Sequence, residues 1–320
     1  MNSAKIEIDH DNTTFTAVAE ESVKISQSRS LMPSKAIFNV LKDDKLDFTE
    51  GDKVRIYIDD IGLFSGRIFS KSRDKEKLIS VTAYDQLRYL KNKGTYFFTG
   101  KNVSGIIKTI AGDMNLTVGE IENSPYTVSD MICDDKTLFD IIQGAIDETY
   151  ENTGTLFILT DDFGKISLKN CKNMAVDYSV LDSTAENFSY SSSIDNGVFN
   201  CIELTKKDRK NGDKEYFKKD ENLQSRWGVL KYSGSVSDDE DGNLKAEKLL
   251  KLYGQKKRSL SINGAFGNSN VRAGSLIYVK MENETDIGID SKMLCEEVEH
   301  IFNNGIYTMN IVLRGGLIND

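Results

Sequence analysis

The chain has 320 residues, and its 41 Lys and Arg against 50 Asp and Glu give a formal charge of -9 and a pI near 5.0. That balance argues against a nucleic-acid-coating role, because phosphate neutralisation needs a basic surface. The length allows two or three domains with a real buried core, and 39% hydrophobic with 28% charged residues is ordinary for a soluble globular protein.

Proline occurs only at Pro33 and Pro125, whereas Gly occurs 24 times. Many short strands joined by Gly, Asn and Asp turns are the expected consequence. No apolar run approaches the roughly 20 residues that span a bilayer. Met1 to Asp9 lack the charged-then-apolar pattern of a signal peptide. No membrane anchor is therefore expected, and the chain is expected to stay in the cytoplasm where it is made. Cys133, Cys171, Cys201 and Cys295 are widely spaced, form no CxxC pair and read as buried free thiols.

Residues 1–98 read as strands. Lys5 to Ile8 and Val54 to Ile58 alternate, and Leu63 to Phe69 and Leu78 to Ala83 follow at short spacing. Gly51-Asp52, Asp59-Asp60 and Arg73-Asp74-Lys75 mark the turns between them. Regular short strands with such turns point to a sandwich or barrel. Tyr84 to Leu90 predicts a short helical turn that closes the unit.

Residues 99–173 change character. Asn102 is a good helix N-cap, and Val103, Ile106, Ile107, Ile110 and Ala111 share one helical face that ends near Gly112. A second helix follows Asp134-Asp135, with Leu138, Ile141, Ile142 and Ala145 on its stripe. Thr155 to Thr160, a turn at Asp161 to Gly164, and Lys165 to Leu168 predict a hairpin. Together these elements make a small α/β insert.

Residues 174–320 return to strands. Asn200 to Thr205 and Glu215 to Lys218 flank Asn211-Gly212, a strong turn signal. The stretch between them carries Lys206, Lys207, Arg209 and Lys210 among Asp208 and Asp213, and predicts a long solvated hairpin. Asp241 and Asn243 cap a helix expected over residues 243–257. Its buried stripe is Ala246, Leu249, Leu250 and Tyr253, with Lys256, Lys257 and Arg258 at its C-terminal end. Ser259 to Ile262, Ser275 to Met281, Met293 to Phe302 and Tyr307 to Leu313 complete the strands. The fold class is mainly β with a small α/β insert.

Candidate chemistry fails position by position. His10 and His300 are the only histidines, so no three-histidine metal site and no HExxH motif exist. His300 lies in an alternating strand pattern, and no Gly-x-Ser-x-Gly elbow offers it a nucleophile. If Gly242 is placed at the invariant glycine of a calcium loop, Ser237 and Lys248 fall where carboxylates are required. Asp238 to Asp241 therefore read as a charged turn before a capped helix. Asp147, Glu148 and Glu151 raise the possibility of sugar-bond cleavage, but acids at the end of an amphipathic helix read as a solvated face. Gly264 to Gly267 lack the residues of a phosphate loop, and Trp227 reads as a packed anchor beside Leu230. No catalytic residue, metal site or cofactor is expected.

Several stretches resemble a known family. One runs from Gly51-Asp52-Lys53-Val54-Arg55-Ile56 through Leu63 to Ile68 to Val81-Thr82-Ala83-Tyr84-Asp85-Gln86-Leu87-Arg88-Tyr89-Leu90-Lys91-Asn92. Others are Asn102 to Ile107, Lys136 to Ile142, Ala273 to Ile277, and Glu299-His300-Ile301-Phe302-Asn303-Asn304-Gly305-Ile306-Tyr307-Thr308. These are similar to the tail hub proteins of PBSX-type defective phages, relatives of the late control protein D hubs of contractile tails. The likeness covers most of the chain and is weakest over Lys172 to Ser235.

The resemblance implies two tube-like β-barrels, residues 1–98 and 174–320, with the insert between them. It also implies a homotrimer that joins a six-fold tail tube to a three-fold spike, with the tail tube protein, the spike protein, other baseplate proteins and the tape measure as partners. The protein would be assembled in a bacterial cytoplasm and then carried in a phage tail or tail-like particle. Within this reading Lys206, Lys207, Arg209, Lys210, Lys214, Tyr216 and Lys218 are the candidate partner interface. The competing reading is a tail-associated peptidoglycan hydrolase with the insert as its catalytic part.

Overall fold

A computed structural model describes residues 3–17, 19–30, 32–42, 45–75, 78–181, 187–195, 197–207, 212–237, 240–281 and 288–315. The N-terminal part forms β1 (Ala4–His10), β2 (Thr13–Ala17), β3 (Ala19–Ser28), β4 (Lys35–Leu41), β5 (Lys53–Ile58), β6 (Ile61–Arg73) and β7 (Leu78–Tyr84). A 3-10 turn, Gln86–Lys91, then leads to β8 (Lys93–Phe98), α1 (Val103–Asp113), β9 (Val118–Ile121), β10 (Met131–Thr137) and α2 (Leu138–Thr153). Next come β11 (Phe157–Asp161), β12 (Ile166–Asn170), a 3-10 turn (Cys171–Met174), β13 (Ala175–Leu181), β14 (Asn187–Ser193), β15 (Cys201–Lys206) and β16 (Lys214–Lys219). The chain continues with α3 (Glu221–Trp227), β17 (Lys231–Ser235), α4 (Gly242–Tyr253), β18 (Lys257–Phe266), β19 (Leu276–Met281), β20 (Ile289–Asn303) and β21 (Ile306–Gly315).

Both ends of the chain contribute to one 13-stranded sheet. Its main path runs β14-β18-β21-β20-β3-β4-β7-β6-β5-β1-β2, with β19 also on β20 and β13 on β19. Strands with a period of two present one apolar face: on β4 Ala36, Phe38 and Val40 are buried, and on β7 Ile79, Val81 and Ala83. These residues share a continuous core with Ile262, Val279 and Ile311 from the C-terminal strands. Among the described residues no ladder joins β2 to β3. Strands β2 and β3 lie one residue apart in sequence.

The insert has its own core. Asn102 accepts the Gly105 N–H at the start of α1, and Thr137 accepts that of Asp140 at the start of α2. Such side-chain acceptors satisfy otherwise unpaired first-turn amides. The buried helix faces pack on β11, β12 and the 3-10 turn, and reach Leu276 and Leu294 of the C-terminal strands. Asp134 and Asp135 lie just ahead of α2, as expected, within β10.

The C-terminal part departs from the expectation of a single helix over 243–257. The α4 helix ends at Tyr253, and Lys257 and Arg258 begin β18. A second helix, α3, is short and buries no residue, so it carries no apolar stripe for a periodicity search to find. Strands β15, β16 and β17 form a separate sheet in the order β16-β15-β17, and α4 covers its inner face over Ile202, Leu204, Ala246 and Leu249. Strands β3 and β4 were not among the expected strands.

Close packing on the main sheet gives a direct test. A Cβ on Gly66 of β6 would stand 2.2 Å from the Tyr84 carbonyl oxygen, a backbone atom that cannot swing aside. Gly66→Ala is expected to destabilise the fold by about 1–3 kcal/mol in urea unfolding, as overpacking does. Gly112→Ala in α1 meets open space and is expected to raise stability by about 0.5–1 kcal/mol.

Candidate functional site

The groups singled out for chemistry are structural. His300 on β20 is 2% exposed, flanked in register by Ile25 and Met309, and its Nδ1 lies 2.8 Å from the Tyr307 hydroxyl. Burial, with the Arg272 charge adding to it, pushes the imidazole down to about 3, so it stays neutral at physiological pH. His10 bonds Asp52 at 2.8 Å across the β1–β5 end of the sheet. All four cysteines are buried and unpaired.

The acids of α2 are not simply solvated. Glu148 accepts the Ser129 N–H at 2.7 Å and the Tyr126 hydroxyl at 3.1 Å, and Glu151 accepts the Tyr253 hydroxyl at 2.9 Å. Asp147 accepts from Gln143 on its own helix at 2.6 Å. They fasten α2 to its own loop and to α4. Of the charged turn, Asp238 and Asp239 lie outside the described residues, Glu240 pairs with Lys245 at 2.9 Å, and Asp241 caps α4. Among the described residues no three His, Cys, Asp or Glu side chains are grouped to hold a metal ion. Trp227 sits half-buried at the end of α3.

The candidate interface falls on the β15–β16 hairpin. Arg209 and Lys210 lie outside the described residues, Lys206 ends β15 opposite Lys214, and Lys207 is exposed just beyond. Tyr216 stands opposite Leu204, and Lys218 opposite Ile202. Alternation puts Lys214, Tyr216 and Lys218 on the inner face. Tyr216 packs in the α4 core, where a Cβ on Gly242 would come within 2.4 Å of its ring. The outward side of β16 is Glu215, Phe217 and Lys219, with Phe217 51% exposed opposite Glu203. The period-two pairing of Tyr216 with Leu204 and of Lys218 with Ile202 is the signal that distinguishes the faces.

Two further apolar features have no counterpart in the sequence reading. Phe97 of β8 and Ile132 of β10 are direct cross-strand partners, and both are strongly exposed. Phe266 and Ile306 are likewise exposed near the β20–β21 turn. Two carboxyl groups are buried where the insert meets the main sheet. Asp85 caps the 3-10 turn, receiving the Ser34 N–H at 2.9 Å and the Leu87 N–H at 3.0 Å. Burial and the neighbouring Asp161 charge hold its carboxyl well above the usual range. Burial pushes Asp161 up to about 6, with Asp162 adding to the rise and the Gly164 N–H, Gln86 and Arg272 opposing it.

The fold is similar to that of the tail protein from Neisseria meningitidis MC58, with a TM-score of 0.71 and 14% identity over 97% of this chain and 96% of that one. It is also similar to the E. coli c3393 protein, a component of the type VI secretion system that exhibits structural similarity to T4 bacteriophage tail proteins gp27 and gp5. There the TM-score is 0.60 and the identity 10%, over 97% of this chain and 76% of that one. In sequence the chain is 27% identical over 311 residues to the phage-like element PBSX protein XkdQ of Bacillus subtilis (strain 168), covering 94% of each. The YQBQ-like family model matches residues 23–314, and the chain belongs to that family.

Two measurements check this geometry. Tyr216→Ala is expected to cost about 1–3 kcal/mol as loss of a half-buried ring packed on the α4 core, and Phe217→Ala about 0.5 kcal/mol or less as a surface change; equal losses in chemical unfolding would put both on one face. The folded chain holds the Asp161 proton more tightly than the unfolded chain does. Its stabilisation is therefore fully present below the ordinary carboxylate pKa of 3.8 and is lost as the pH rises through about 6. Asp161→Asn is expected to flatten the decline of stability between those limits in unfolding curves taken across that range.

Proposed function

We propose that this chain is a structural hub of a phage or phage-like contractile tail. It works as a homotrimer at the base of the tail tube, where its paired barrels, residues 1–98 and 174–320, give three chains a six-fold face toward the tube. The opposite side takes the three-fold spike, and other baseplate proteins and the tape measure complete its surroundings. In this reading it is not an enzyme, needs no cofactor, and is assembled in the bacterial cytoplasm before it joins the particle. Residues 99–173 are the insert between the barrels.

The observation that carries the reading is the match over nearly the whole chain to one family, with a PBSX phage-like element protein among the relatives. The fold it shares with proteins named as tail and secretion-system components supports it. So does the main sheet, which draws both chain ends into one body. The packed state of His300 and the bonds that Glu148 and Glu151 make to Ser129, Tyr126 and Tyr253 support a structural over a hydrolytic reading.

Co-expression with the tube and spike proteins of the same particle tests it by electron microscopy of the purified assembly. Three copies between a six-fold tube and a three-fold spike are expected. A different stoichiometry, or a position away from that junction, would overturn the hub role. Zymography on cell walls is expected to give no clearing; lysis lost in Glu148→Gln or Glu151→Gln would establish the enzyme instead.

A further inference from the structure

Among the described residues five buried side-chain polar atoms have no hydrogen-bond partner within the protein, and three of them come from three separate parts of the chain. They are Gln27 Oε1 on β3, Asp161 Oδ2 at the end of β11, and Arg272 Nη1 between β18 and β19. Gln27 and Asp161 are only 8% and 9% exposed. Their residues line one cavity of about 20 Å³, together with Ser34, Thr160 and Ala273. The other polar ends are in use: Asp161 Oδ1 accepts the Gly164 N–H at 2.6 Å, and Arg272 Nη2 donates to the Gly62 carbonyl at 3.1 Å. Arg272 Nη1 stands 4.0 Å from Asp162, beyond hydrogen-bonding range.

Leaving such atoms unsatisfied in a buried site is costly, so the site calls for an occupant. Size and charge select it. About one water-sized probe volume is enough for a single water and for little else. A metal cation would sit against the Arg272 guanidinium, and an anion against Gln27 Oε1 and the Asp161 carboxylate. Two acceptors and one donor around one small space match a water molecule, which donates twice and accepts as well. We propose that one buried water bridges Gln27, Asp161 and Arg272 and pins the insert to both ends of the main sheet.

A crystal structure of the full chain at about 1.5 Å resolution tests this directly. The expected result is one ordered peak within about 2.6–3.2 Å of all three atoms, the hydrogen-bonding range. Three results would overturn it: no peak; a direct Gln27–Asp161 bond after the amide turns over; or a peak with short oxygen contacts of about 2.3–2.6 Å, which marks a metal ion. A bromide soak that places an anomalous peak there would overturn it in favour of an anion. Gln27→Met removes one acceptor at nearly constant shape, and its crystals are expected to lose the peak, whereas crystals of Asp161→Asn retain it. Should Gln27→Met fail to fold, the density of the unaltered chain decides alone. None of these results depends on assembly into a tail.

Discussion

The ladder between β3 and β20 is the constraint on which the rest of the molecule depends. It pairs Ser22 to Ser28 with Asn303 to Glu297 in antiparallel register, and so joins strands from opposite ends of the chain. Just past its end, Arg29 forks onto Glu296 through bonds of 2.8 and 2.9 Å, spanning 267 residues. A bidentate guanidinium–carboxylate pair fixes orientation as well as distance. With the ladder in place, the two halves share a core rather than resting against each other. The insert, which leaves the chain between them, is then held at both of its ends.

The junction is costly to build. It gathers Asp85, Asp161, Arg272 and His300 into low-exposure surroundings where each charge is disfavoured unless it is matched. Asp85 is answered by two backbone amides, and His300 by a tyrosine hydroxyl at Nδ1 but by no partner at Nε2. Asp161 is answered on one oxygen only. Such a cluster suits a position where several elements must meet in one arrangement, because apolar packing alone tolerates small rotations that hydrogen bonds do not.

Much of this fold was legible in the sequence, and the gaps have physical causes. The α1 and α2 faces, the β11–β12 hairpin, the Asp241 cap and the closing strands read directly, because each is specified by neighbours a few residues away. Strand β3 did not. Its outward positions Lys24, Ser26 and Ser28 are polar, and its inward run ends in Gln27, so only Val23 and Ile25 give an apolar alternation. Its place is set by partners on β4 and β20, the latter more than two hundred residues away, which no local window contains. At the candidate interface, composition and strand period pick out different faces of β16. Basic composition drew attention to Lys214, Tyr216 and Lys218, while the strand period placed them inward and Glu215, Phe217 and Lys219 outward.

The sheet edges bear on what kind of contact each surface can make. Strand β16 is the edge of its sheet and carries Lys214, Glu215, Lys218 and Lys219. Charged edge residues discourage addition of a further strand, so a partner meeting this hairpin would meet side chains, with Phe217 as the apolar centre. Strand β14 is the opposite case. It ends the main sheet among the described residues and reads Asn-Phe-Ser-Tyr-Ser-Ser-Ser, without a charge or a proline in a chain that is 28% charged. Main-chain pairing is therefore chemically open at β14 and opposed at β16. The two edges differ in the mode of recognition they allow, and the basic hairpin that composition singles out is the one suited to side-chain contact.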